Sequence, residues 1–232
     1  MSNSPPLSSQ LDHLVICAHQ LSAGVAWFEH LSDVKLPIGG SHPLMGTHNH
    51  LTALSKNEFL EIIATDPTAA TPSRKRWFNL DNEDFQSRLK VSPCLTTWVL
   101  GTRDLEAALA AVRSAGIDAG QPIEQTRDDL RWNIAIRDDG TLACDGVFPI
   151  LIQWPESVNP VGRMQDQGLR LTKVRLRHPR AAQIRKALSA IGLDHPVDLD
   201  TGDAAVHAEI CIGKRNFQLY LTISVVSINQ FS

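Results

Sequence analysis

One order of segments occurs three times in this chain, and it restricts the fold more than any other feature. LDHLVICA (residues 11–18) is an apolar run of strand length, and HQLSAGVAWFEHLSDV after it carries Leu21, Val25, Phe28 and Leu31 at helical spacing. A Gly/Pro-rich stretch, LPIGGSHPLMG, leads into two strand-like runs, THNHLTAL and EFLEIIAT. The order returns at LTTWVLGT (95–102), where DLEAALAAVRSAG puts Leu105, Leu109 and Val112 on one helical face and stops at Gly116. RWNIAIRD and VFPILIQW follow, separated by the turn signal DDG. A third pass starts at LRLTKVRLRH, with Pro179 at the expected first helical position and Ile184, Leu188 and Ile191 as the apolar stripe before Gly192. AAVHAEICIG and FQLYLTIS close it. The spacing between units is unequal, so the chain reads as a duplicated α+β module rather than a solenoid, whose repeats keep a fixed period.

Between the units, residues 67–94 and 155–168 are polar connections, the first expected to hold a turn of helix, while 1–10 and 225–232 read as tails. A net charge of −3 and a pI near 6.3 argue against nucleic acid or an anionic membrane as partner. The opening MSNSPPLSSQ lacks the apolar core of a secretory signal, and no apolar run approaches the roughly 20 residues that span a bilayer. Four cysteines without a CxxC pair (Cys17, Cys94, Cys144, Cys211) do not form the pattern of a disulfide framework or zinc ribbon. A reducing, cytoplasmic setting is therefore expected. Neither G-x-S-x-G nor a Gly-rich phosphate loop is present, which weakens covalent-hydrolase and nucleotide-binding readings.

The strings LDHLVICAHQLSAGVAWFEHLSDV, GGSHPLMGTHNHLTAL and EFLEIIA resemble the glyoxalase-like branch of the vicinal oxygen chelate superfamily, whose G-x-H-P…G-T-H-N segment here is Gly40, His42, Pro43, Gly46, Thr47, His48 and Asn49. The likeness is specific over 11–66, weaker over 95–155 and topological over 169–224, the third module. It implies an α+β fold of βαβββ modules, two of them (within 11–160) pairing into a curled mixed-sheet cup with helices outside. It also implies that a divalent metal is often held from the first and last strands of each module; an imidazole and a carboxylate there suit zinc, iron, manganese or nickel. Carried onto this chain, those positions are His13 and Glu61 in the first module. The second module has Thr97 and Gln153 there, and the third Lys173 and Gln218, so a two-module metal cage would be half missing.

Strand alternation places His13, Val15 and Cys17 on one face and Leu14 and Ile16 on the other, and likewise sets Phe59, Glu61 and Ile63 apart from Leu60 and Ile62. His13 and Glu61 are candidate metal ligands or an acid–base pair; the bland alternative is a hydrogen-bonded pair plugging the cup. His48 and His50 share a face and Asn49 the other, so either the imidazoles or the amide reach a ligand. His42, after Gly39 and Gly40, is a candidate rim contact, and Gln153 a candidate substrate contact by its position. Arg76, in the basic run Ser73–Trp77, could grip a carboxylate or phosphate, although such runs are more often solvated. The expectation is a glyoxalase- or dioxygenase-like enzyme for a small oxygenated molecule, of lyase or isomerase type, with a metal-free binding protein of the same fold as the alternative. The unpaired third module suggests a homodimer formed through an open sheet edge.

Overall fold

The computed structural model describes residues 6–127, 130–155, 158, 160–193 and 195–222. The first module is β1 (Ser9–Cys17), α1 (Leu21–Ser32), β2 (Ile38–His42), β3 (Thr47–Ala53) and β4 (Phe59–Thr65). β1 is apolar on both sides because both sides are covered: Leu14 and Ile16 enter the packed layer outside the sheet, Val15 and Cys17 the inside of its curl. α1 ends where Asp33 takes a left-handed conformation at φ 59. The second module is β5 (Cys94–Thr102), α3 (Leu105–Ser114), β6 (Gln121–Arg127), β7 (Leu130–Ile136) and β8 (Ile150–Gln153), with α2 (Glu83–Val91) in the connection before it. Asp104 caps α3 by accepting the N–H of Ala107 at 2.9 Å, and Gly116, at φ 83, supplies the expected stop.

These eight strands form one mixed sheet in the order β2-β3-β4-β1-β5-β8-β7-β6. β1 and β5 pair antiparallel at its centre, and each also pairs in parallel with the last strand of its own module. The sheet curls until its edge strands β2 and β6 approach one another, leaving a nearly closed cup. The connection before β5 does more than link. Trp77, Phe78, Leu80, Phe85 and Leu89 pack against Val15, Cys17, Ile63 and Val99 and fill part of the cup from inside.

The third module, β9 (Leu169–Arg177), α4 (Ala181–Ala190), β10 (Asp198–Asp200), β11 (Ala205–Ile212) and β12 (Arg215–Thr222), keeps the segment order and changes the pairing. Its sheet runs β10-β9-β11-β12, so β9 lies beside β11 rather than beside the last strand. The apolar face of this sheet (Val174, Leu176, Val206, Ile210, Leu219) closes the core shared with α1, α3 and the outer side of β1 and β5. Its opposite face is charged and exposed: Lys173 pairs with Asp198 at 2.7 Å and Arg175 with Glu209. α4 starts at Ala181 after the N-cap Arg180, so Pro179 stands just outside the helix rather than at its first position. His178 accepts the N–H of Arg180 at 3.0 Å there and takes up a terminal donor that a helical proline would have removed.

Candidate functional site

β1 and β4 run parallel with His13 opposite Phe59 and Val15 opposite Glu61. Alternation then turns the His13 and Glu61 side chains to the same, inner face. Nε2 of His13 lies 3.7 Å from Oε2 of Glu61, and both residues are about 5% exposed. The imidazole stacks on Phe59 with ring centroids 4.3 Å apart.

Both groups are held from behind. The β1–β5 register slips between Leu11 and His13, and the extra residue, Asp12, turns its carboxylate to Nδ1 of His13 at 2.5 Å. The Asp12 carboxylate also accepts the indole N–H of Trp154 at 2.9 Å. With two donors on Asp12, Nδ1 of His13 carries a proton and Nε2 faces Glu61. From β3, Asn49 donates its amide to Glu61 Oε1 at 2.6 Å, and its own carbonyl accepts the N–H of Gly40 at 2.9 Å. A continuous polar chain therefore runs from Trp154 through Asp12, His13 and Glu61 to Asn49 and Gly40.

Burial raises the pKa of Glu61 above the usual carboxyl range, although His13, Asn49 and Arg127 each pull it down. His42 is 4% exposed and sits edge-on to Trp77 and Trp132, with centroids 4.9 and 6.1 Å away. Burial, then the charge of Arg127, lowers its pKa to about 3, so the ring is neutral near pH 7. Its Nδ1 lies 3.1 Å from the hydroxyl of Thr47. With that hydroxyl donating, the ring proton sits on Nε2.

These groups border a narrow, half-open hollow. Arg127 at the end of β6, Trp132 and Ile134 of β7, Ile152 of β8, and Trp154 form the second module's side, with Trp77 and Phe78 from the connection. Of the residues singled out in the sequence, His13, Glu61, Asn49 and His42 meet there. His42 is buried on β2 rather than on a loose rim. His48, Gln153 and Arg76 are placed elsewhere. His48 lies on the opposite face of β3 from Asn49. Ile152 takes the inward position of β8, so Gln153 turns out and accepts the N–H of Leu105 at 2.8 Å, holding the start of α3. Arg76 pairs with Asp81 at 2.7 Å within the connection. Sequence reasoning missed Asp12, whose role depends on a register slip, and Arg127, which lies on the polar strand QPIEQTR that shows no apolar alternation.

The donor set does not fit a resident divalent metal. Among the described residues no three His, Cys, Asp or Glu side chains are placed to hold one metal ion, whereas catalytic metal sites commonly take three protein ligands. His13 and Glu61 each spend one donor atom on Asp12 and Asn49, and Arg127 adds positive charge beside them.

A curled eight-strand cup made of two modules with parallel first and last strands is the architecture of the vicinal oxygen chelate class. Within that class the chain belongs to the glyoxalase-like domain family, whose model matches residues 11–192. No curated protein matches it. Among solved structures, a hypothetical protein from Staphylococcus aureus aligns over 92% of this chain and 85% of its own, at 16% identity and TM-score 0.52. That likeness is one of fold. Methylmalonyl-CoA epimerase from Streptomyces coelicolor, in complex with 2-nitronate-propionyl-CoA, aligns over 66% of this chain and 98% of its own at 16% identity and TM-score 0.41. The Mycobacterium tuberculosis epimerase aligns over 66% and 93% at 17% and 0.41. Among the described residues, no helix is long and apolar enough to cross a membrane.

Proposed function

We propose that this protein moves a proton on a carbon next to a carbonyl in a small oxygenated molecule, with Glu61 as the acid–base group and no metal. The observation that carries the reading is a carboxyl 5% exposed, facing an imidazole at 3.7 Å and fixed by an amide at 2.6 Å, at the border of a narrow, half-open hollow. A base needs a fixed position and an affinity for protons near the working pH. Hydrogen bonding through Asn49 supplies the first, and burial moves Glu61 in the direction of the second by raising its proton affinity.

In the proposed step the Glu61 carboxylate takes the proton from carbon. The C–H electron pair becomes the C=C bond of an enolate, and the carbonyl π pair moves to oxygen. Neutral His42 is the donor bordering the hollow that stabilises that oxygen. His13, tied to Asp12, faces Glu61 and helps to position it. Return of the proton from Glu61 to the face it left restores the substrate with a hydrogen exchanged from solvent, and where that carbon carries a hydroxyl, return to the neighbouring carbon of the enediolate gives isomerisation.

Proton exchange tests this directly. Enolisable 2-oxo and 2-hydroxy acids incubated with the protein in D2O should incorporate deuterium, and Glu61→Gln should slow incorporation by on the order of 100-fold or more. Exchange that persists in Glu61→Gln refutes the assignment.

One observation favours a second reading, a metal-free binding protein. The second module supplies aromatic and aliphatic walls (Trp132, Ile134, Ile152) and no second carboxyl to the hollow. Thermal stabilisation by a ligand that shows no exchange would select it. The homodimer through the third module's sheet is a further proposal, which a monomeric mass in light scattering at micromolar concentration would remove.

A further inference from the structure

We propose that the ligand of this hollow is a carboxylate, a small 2-oxo or 2-hydroxy acid with an apolar side chain, and that Arg127 is the residue that selects it. The inference rests on the reading of Glu61 as the proton-transfer group and adds which molecule reaches it.

Arg127 lines the hollow from the second module, near the polar group that ends at Asn49 and Gly40. It is the last residue of β6, and it crosses to the edge strand β2, where its side chain lies on Gly40. A Cβ at position 40 would stand 2.5 Å from Cδ and 3.0 Å from Nη1 of Arg127, so only glycine leaves the guanidinium this seat. Gly40 is also the residue whose N–H fixes Asn49, so the cation and the base are referenced to one backbone point. Among the described residues the guanidinium makes no hydrogen bond or ion pair, although it is only partly exposed. Its positive charge is felt at both groups: after burial it is the next cause lowering the proton affinity of His42, and it partly offsets the rise that burial gives Glu61.

Two further donors on the same side lack acceptors. The indole N–H of Trp77 and the amide nitrogen of Gln125 are buried and unbonded among the described residues. Trp77 lines the hollow, and Gln125 lies two residues before Arg127 on the same face of β6. Unfilled buried donors are costly and uncommon, and with a guanidinium beside them they favour an anionic acceptor. A carboxylate accepts a bidentate pair from arginine, which a neutral carbonyl does not. The remaining walls, Trp132 and Ile152 among them, are apolar and suit a branched or aromatic side chain.

The test compares phenylpyruvate and 4-methyl-2-oxopentanoate with their methyl esters. Binding is read by quenching of tryptophan fluorescence, and deuterium incorporation is followed in parallel. Wild type should bind the acids roughly 10- to 100-fold more tightly than the esters, the range expected for a charge-assisted hydrogen-bonded pair. Arg127→Met should erase that preference, Arg127→Lys should restore part of it, and Gly40→Ala should weaken acid binding by displacing the Arg127 side chain from its seat. Equal affinity for acid and ester in wild type, no binding of either acid at millimolar concentration, or an acid preference that survives Arg127→Met would each overturn the inference. The two readings part cleanly. Arg127-dependent acid binding without exchange sinks the Glu61 chemistry alone, whereas Glu61-dependent exchange on the esters as readily as on the acids sinks the carboxylate selectivity alone.

Discussion

Replacing His42 by asparagine should remove one specific component of the protein's acid sensitivity. In the unfolded chain this histidine titrates near 6.5, and in the folded protein its pKa is lowered to about 3. Between those values the unfolded state binds one proton more than the folded state, so stability is fully present above 6.5 and is lost as pH falls toward 3. A shift of that size corresponds to about 5 kcal/mol over the whole window, and from pH 6 to pH 4 to about 2.5 kcal/mol. Urea unfolding followed by tryptophan fluorescence at half-unit pH steps measures it. His42→Asn will be less stable at pH 7, since it gives up its edge-on contacts with Trp77 and Trp132. The diagnostic quantity is the slope. Wild type should lose about 2.5 kcal/mol more than the variant between pH 6 and pH 4. Parallel slopes, or an NMR titration of the His42 ring with a midpoint near 6.5, would refute the reasoning from burial and from Arg127.

Glu61 has the opposite sign. Its folded pKa is raised, so the folded state holds the extra proton and stability falls as pH rises from the ordinary carboxyl value through the folded one. Glu61→Gln should flatten that fall and be no less stable than wild type at pH 8, while losing proton exchange; a variant that unfolds more readily at pH 8 contradicts the assigned direction. Asn49→Leu removes the 2.6 Å bond to Glu61 and strands the Gly40 N–H, and it should cost about 1–3 kcal/mol by thermal or urea unfolding. Trp98→Ala opens a fully buried site, leaves the Val147 carbonyl without its 2.9 Å donor, and should cost about 3–5 kcal/mol in the same assay. Protein purified without chelator should carry less than one equivalent of bound divalent metal by elemental analysis, and chelator should leave deuterium exchange unchanged. Stoichiometric metal, lost together with exchange, contradicts the two-ligand reading.

Strands covered on both sides are the ones most legible in the sequence. LDHLVICA and EFLEIIAT carry apolar residues toward two different cores, and the parity of their positions is enough to put His13 and Glu61 on one side. The helices of the three modules were legible for a related reason, each carrying one apolar stripe. What escaped has a common cause. β2, β6 and β10 are all sheet edges, short or polar, with few apolar positions, so IGGSH, QPIEQTR and DLD show little of the pattern that marks a strand. Arg127 was missed because its strand was.

The sequence by itself determined the module order, the helix stops and the face each inner-strand residue takes, because these follow from local periodicity and backbone chemistry. Tertiary structure alone decided that the third module pairs differently from the first two, that Trp77 and Phe78 fold into the cup, and that Asp12 slips to stand behind His13. It also brought Arg127 across from one edge strand to the glycine seat on the other. Those outcomes depend on which distant surfaces meet when the sheet curls, and no local pattern along the chain encodes where two edges will close.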